Sequence, residues 1–168
     1  MNDERKIKKC VGPIIYNIEG KIFLMKSSKW RLGENGKFGE VWTVPGGEIE
    51  KDENGTEKET PEEALHREIA EELGIKISHV EHVGGSKKSG AEDFIKPNID
   101  FEFIDFIART NDKDISPNHE ISDYGWFTLE EAENLPMIDV TKDFIRRCRR
   151  LVEERVAEFQ AEFKIDKR

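Results

Sequence analysis

Glu68, Glu71 and Glu72 stand three and four residues apart in the run Glu59 to Ile75, E-T-P-E-E-A-L-H-R-E-I-A-E-E-L-G-I. On a helix of about 3.6 residues per turn, that spacing stacks all three carboxylates on one side. Like charges at this spacing destabilise an isolated helix by about 0.2–0.5 kcal/mol per pair. A bound cation removes that repulsion. Ligands that are all oxygen suit a hard divalent ion, Mg²⁺ or Mn²⁺, better than zinc. The competing reading is a solvated acidic helix face.

The element that must carry these residues has clear boundaries. Thr60 suits the N-cap, and Pro61 suits the first helical position, where its missing N–H goes unused. Glu63, three residues after Thr60, completes a capping box. Glu59, Glu62 and Glu63 favour the positive end of the helix dipole. Gly74 supplies the stop. Leu65, Ile69 and Leu73 recur every four residues and form the apolar stripe that faces a core.

The remaining chain alternates short strands with helices. Val11 to Tyr16 and Lys21 to Lys26 read as a hairpin around Asn17 to Gly20, after a loose polar lead-in over residues 1–9. Lys29 to Gly39 reads as a loop, either lying over a ligand site or simply connecting strands around a buried Trp30. Trp42 to Ile49 enters the sheet. Ile75 to Val83 reads as a strand, and Gly84 to Pro97 as a mobile connection rich in Gly, Lys and Ser. Ile99, Phe101 and Phe103 alternate with Asp100 and Glu102, which predicts a strand with one buried face. Tyr124 to Phe127 is a further short strand. Thr128 to Glu131 opens a short helix with its own capping box. Residues 139–163 form one long C-terminal helix with Phe144, Ile145, Cys148, Leu151, Val152 and Val156 at helical spacing. Phe159 and Phe163 either fold back on the same domain or meet a second copy in a homodimer.

Composition narrows the classes. The 168 residues suit one domain, 1–168, of mixed α/β (α+β) type. The net charge of −9 argues against stable nucleic-acid binding, which needs Lys and Arg to replace counterions. A small phosphorylated substrate is compatible, because bound metal inverts local charge. No run approaches the roughly 20 apolar residues of a membrane span. Cys10 and Cys148 make neither a metal motif nor a disulfide framework, so the expectation is a reduced, cytoplasmic protein. His66, His79, His82 and His119 form no ligand motif.

Glu59, seven intervening residues, then Arg67-Glu68-Ile69-Ala70-Glu71-Glu72-Leu73-Gly74-Ile75 resemble the Nudix box, G-x5-E-x7-R-E-U-x-E-E-x-G-U with U apolar. Trp42-Thr43-Val44-Pro45-Gly46-Gly47 resembles the W-x-x-P-G-G entry to it. One departure stands out. The family spacing from Gly47 leads to Glu53, whereas the spacing to Arg67 selects Glu59, six positions later. An insertion over 51–58 accounts for the difference, and Asn54-Gly55 within it is a turn signal. Downstream, Glu120 to Phe127 resembles the segment in which a loop acid precedes a W-F strand. Glu120 is the candidate there, with Asp123 its competitor.

The resemblance to this MutT-like family implies an α-β-α sandwich on a mixed sheet. It implies Glu68, Glu71, Glu72, Glu120 and the Gly46 carbonyl as ligands of Mg²⁺ or Mn²⁺. Glu59, Arg67, Gly47 and Gly74 become structural residues. The general base stays open among Glu68, Glu71 and Glu120. The implied activity is hydrolysis of a nucleoside diphosphate linked to another group. Subgroup markers are missing: Gly90 stands where an ADP-ribose marker has proline, no tyrosine precedes Tyr124 after the box, and the S-Q-P-W-P-F-P-x-S motif is absent. The leading expectation is therefore a nucleoside triphosphate pyrophosphohydrolase. The alternatives are a hydrolase of ADP-ribose, nucleotide sugars or dinucleoside polyphosphates, or a non-catalytic nucleotide-binding module. Trp30, Phe38 and Phe103 can stack a base or fill the core.

Overall fold

The computed structural model describes residues 4–166. Its elements are β1 (Lys6–Tyr16), β2 (Ile22–Ser27), β3 (Val41–Thr43), β4 (Gly47–Glu48), α1 (Pro61–Leu73), β5 (Ser78–Ser89), β6 (Ile99–Arg109), β7 (Tyr124–Phe127), α2 (Leu129–Glu133) and α3 (Asp139–Asp166). Among the described residues the strands form one seven-stranded sheet in the order β3-β2-β1-β6-β5, with β4 on β1 and β7 on β2. β1 and β6 run parallel from Lys6↔Ile99 to Tyr16↔Arg109, and the other pairings are antiparallel. The sheet is therefore mixed, as expected.

Each face of the sheet has its own helix. Ile14, Tyr16, Leu24 and Ile107 pack under α3, against Phe144, Ile145, Cys148, Val152 and Val156. Val11, Ile15, Phe23 and Phe106 pack under α1, against Leu65, Ile69 and Leu73. Covering both faces explains why successive residues Ile14, Ile15 and Tyr16 are all buried, as in a central parallel strand. The result is the α-β-α sandwich. Among the described residues no helix is long and apolar enough to cross a membrane.

The β1–β2 hairpin closes on Asn17, whose Oδ1 accepts from the Glu19 and Lys21 N–H groups at 3.1 and 3.0 Å. Residues 51–58 form a tight tip of their own. Lys51 bridges Glu57, and Asp52 Oδ1 accepts from the Asn54 and Thr56 N–H groups. In α2 the Thr128 hydroxyl and the Glu131 carboxylate make both halves of a capping box.

Three sequence expectations change. The lead-in expected over residues 1–9 is shorter, because β1 begins at Lys6, drawn into the sheet by pairing with β6; its residues 1–3 lie outside the described residues. The strand expected over Ile75 to Val83 begins at Ser78 and continues to Ser89. Gly84 to Ser89, expected as a connection, pair with Asp105 to Asp100 instead. Partner backbone supplies what side-chain pattern lacks there, and Lys87 and Lys88 suit an edge strand.

The structure also decides the alternative left open at the end of α3. Phe159 is 5% exposed and belongs to the core cluster, with the Arg109 guanidinium 4.2 Å from its ring centroid. It therefore folds back on the same domain. Phe163 is 47% exposed. Arg155 fastens this half of α3 to β5 through two 2.8 Å bonds to Glu81. Phe159→Ala is expected to destabilise the fold by about 3–5 kcal/mol in urea unfolding. A change under about 0.5 kcal/mol, the range of ordinary surface substitutions, would mean that Phe159 is no core anchor.

Candidate active site

Helix α1 presents its acids through the cap, proline and stop read above, but of the expected capping box only the Thr60 half forms. The Thr60 hydroxyl accepts from the Glu63 N–H at 3.1 Å, and the Gly74 N–H reaches the Ala70 carbonyl with Gly74 at φ 66°. Arg67 then fixes the acids in place. It bonds both oxygens of Glu59, with Nε 3.0 Å from Oε2 and Nη2 2.5 Å from Oε1. Its Nη1 reaches Glu68 at 2.9 Å and Glu71 at 3.2 Å. Its Nη2 also meets the Glu48 carbonyl at 3.1 Å. Glu59 further accepts from the Glu50 N–H. The guanidinium holds the Glu59 carboxyl down to about 2.

Gly46 and Gly47 bring backbone against these carboxylates. A methyl added at Gly47 would lie within 2.5 Å of both Glu68 carboxylate oxygens. At Gly46, φ 147°, it would collide with the Val11 carbonyl oxygen. Only glycine permits both approaches.

Glu72 is the unusual group. Burial raises its pKa to about 8, aided by the nearby Glu68 charge. The Gly46 backbone N–H opposes the rise, Glu120 adds to it and Lys29 opposes it. Its Oε2 is buried with no hydrogen-bond partner. Burial also raises Glu68, against the pull of Arg67. A buried carboxylate beside two others, with an oxygen left over, fits a cation. Gly46, Glu68 and Glu120 line the same cavity as Glu72. Among the described residues no group of three or more acidic, histidine or cysteine side chains is placed to hold a metal ion. Glu68 instead turns one oxygen to Arg67.

Glu120 reaches this place by loop docking. The Ser116 and Asn118 N–H groups bond the Leu73 and Glu72 carbonyls, and Asn118 Oδ1 accepts from the Glu120 N–H. The competitor Asp123 turns its carboxylate to the Tyr124 N–H and does not line the cavity. The structure does not bring Glu71 to the cavity: its side chain is 59% exposed and meets Arg67.

A cavity of about 380 Å³ runs from Glu68, Glu72 and Glu120 to an aromatic wall of Trp30, Phe94 and Phe101. Trp30 lies 4.6 Å from Phe94 and 5.0 Å from Phe101, so the loop expected over Lys29 to Gly39 packs a buried Trp30 and also lines the cavity. Lys88 stitches this wall: its Nζ meets Asp93 at 2.8 Å and Asp139 at 2.9 Å. Asp93 in turn accepts from the Gly33 N–H. Phe103 lines the cavity, whereas Phe38 is exposed under Arg31. Lys8, Lys26, Lys29 and Asp105 also line it, and none was singled out from sequence. Asp105 had a signal: it continues the inward series Ile99, Phe101, Phe103. The lysines had none.

The Nudix domain model matches residues 6–148. The chain belongs to the Nudix family. A nucleoside triphosphatase, NudI, of Klebsiella pneumoniae is 29% identical over 138 residues, 79% of this chain and 89% of that protein. An RNA pyrophosphohydrolase of Hahella chejuensis is 36% identical over 87 residues, 52% of this chain and 45% of that protein. The crystal structure of a MutT protein from Methanosarcina mazei superposes with a TM-score of 0.65 at 23% identity, covering 88% of this chain and 96% of that one. This Nudix protein is thus an enzyme, a pyrophosphohydrolase, with the family's fold.

The state of Glu72 gives a pH dependence. Unfolded, its carboxyl ionises near 4.5; folded and without metal, near 8. Between those values the folded chain holds a proton that the unfolded chain has lost, so stability falls as pH rises. With chelator present, unfolding free energy is expected to decline from pH 5 to pH 8. Glu72→Gln should flatten that decline, leaving a residue from Glu68. Equal slopes in both proteins would show that Glu72 is not buried as described.

Proposed function

We propose that this Nudix enzyme is a divalent-metal-dependent nucleoside triphosphate pyrophosphohydrolase that yields a nucleoside monophosphate and pyrophosphate. The observation that carries the reading is the unpartnered, buried Oε2 of Glu72 in the wall of an open cavity. The 29% identical relative named a nucleoside triphosphatase supports the choice of substrate.

Glu68, Glu71, Glu72, Glu120 and the Gly46 carbonyl would hold Mg²⁺ or Mn²⁺. The ion acidifies water and polarises phosphoryl oxygen when bound. The chain's own residues do the rest. Lys26 and Lys29 face the cavity and balance polyphosphate charge in an otherwise acidic protein. Arg67 keeps Glu59 and Glu68 from drifting apart, and Gly47 keeps backbone close to Glu68. A carboxylate among Glu68, Glu71 and Glu120 takes the proton of the attacking water. The water oxygen bonds to phosphorus, and the bridging oxygen leaves with pyrophosphate.

The test is a product assay with Mg²⁺ or Mn²⁺ over (d)NTPs, ADP-ribose, NADH, nucleotide sugars and diadenosine polyphosphates, reading pyrophosphate directly. Nucleoside triphosphates are expected to release pyrophosphate only with metal. Glu72→Gln should lower kcat by roughly a hundredfold or more, since a bound metal ion contributes several kcal/mol of transition-state stabilisation. Cleavage confined to ADP-ribose or dinucleoside polyphosphates would sink the substrate assignment. Full activity of Glu72→Gln would sink the metal site.

A further inference from the structure

The cavity has a carboxylate that the proposed hydrolysis does not use. Asp105 is 5% exposed and lines the cavity from β6. Arg147 of α3 donates to its Oδ2 at 2.8 Å. Oδ1 takes no part in that bond, and it is not among the sealed side-chain atoms left without a partner, so it opens to the cavity. Burial raises this carboxyl, and Arg147 pulls it back. An acceptor that faces a cavity loses its water when a ligand seats there, and leaving it without a donor is then costly.

Its neighbours say what kind of donor. Phe101, Phe103 and Asp105 alternate along one strand and so share one face. Phe103 is stacked parallel to Phe101, at an interplanar angle of 2° and a centroid distance of 5.4 Å. Flat apolar surface thus lies beside the carboxylate on the same strand, and both line the cavity that ends at Glu72. Thr141 and Ser86 complete the polar border. Arg147 already balances the Asp105 charge, so a second cation has no role here. A flat ring carrying a neutral N–H donor does.

We infer that Asp105 is a specificity-determining residue whose free Oδ1 accepts from an exocyclic amino group on the nucleotide base. This rests on the nucleoside triphosphate reading above and deepens it. Bases with an amino group, such as adenine and cytosine, satisfy the oxygen. Their oxo counterparts, hypoxanthine and uracil, place a carbonyl lone pair at that position, and their donor moves to the adjacent ring N–H. A site built to bond a donor rejects the analogue that lacks one, because its own polar atom stays unpaired.

Two paired comparisons test this, ATP against ITP and CTP against UTP. In turnover, kcat/KM is expected to favour the amino member of at least one pair by about tenfold or more. The same preference should appear in binding of the monophosphates, AMP against IMP and CMP against UMP, measured by calorimetry without any turnover. Asp105→Asn keeps the shape but removes the charge and adds a donor, and should bring the ratio close to one. The wild-type ratios need no variant, so a misfolded Asp105→Asn would not block the test. No preference in either pair, in turnover and in binding, overturns the inference. So does a folded Asp105→Asn protein with the wild-type ratio. Selective monophosphate binding without cleavage of any triphosphate would support the role of Asp105 while refuting the triphosphatase reading.

Discussion

One guanidinium organises the acidic end of this protein. Arg67 meets Glu59, Glu68 and Glu71 and a backbone carbonyl of β4 at the same time. A planar cation with five donors can do this, whereas a lysine, a point charge, would not hold the same fork. Burial raises the pKa of Glu72, and the neighbouring Glu68 charge adds to the rise. Arg67 gathers its partners on one side and leaves Glu72 on the other, against Gly46. The Glu72 oxygen left without a partner follows from where this arginine places its bonds.

The sheet supplies the second half of the arrangement. β1 is covered on both faces, so its alternate residues serve two cores at once. Its neighbour β6 changes character along its length. The early part alternates buried and exposed residues, and the later part, Asp105 to Ala108, is buried throughout. The change occurs where α3 and α1 both cover the strand. Asp105 stands at that boundary, which is how a charged residue comes to face an interior cavity with Arg147 as its counter-ion.

Helix α1 was legible because its signals are local: a cap, a proline, a stop and an apolar stripe all fall within about four turns. The same holds for β7 and for the box of α2. The end of β5 was not legible, since Gly84 to Ser89 have no apolar alternation and become a strand only by pairing with β6. The placement of Glu120 was readable only as a resemblance; the hydrogen bonds that carry residues 116–120 to the end of α1 are tertiary. Lys29 and Asp105 were missed because a cavity is made by chain segments that meet in space. Composition along a single strand marks such a residue only as an acid out of step with its neighbours.

The stitch made by Lys88 has a further consequence. Trp30, Phe94 and the start of α3 come from three distant stretches of chain, and one lysine joins two of them while Asp93 joins the third. None of these residues belongs to α1. The acidic end and the aromatic wall of the cavity are therefore built on separate supports. Either can be altered by substitution while the other keeps its geometry, so the wall can diverge in sequence without disturbing the acids of α1.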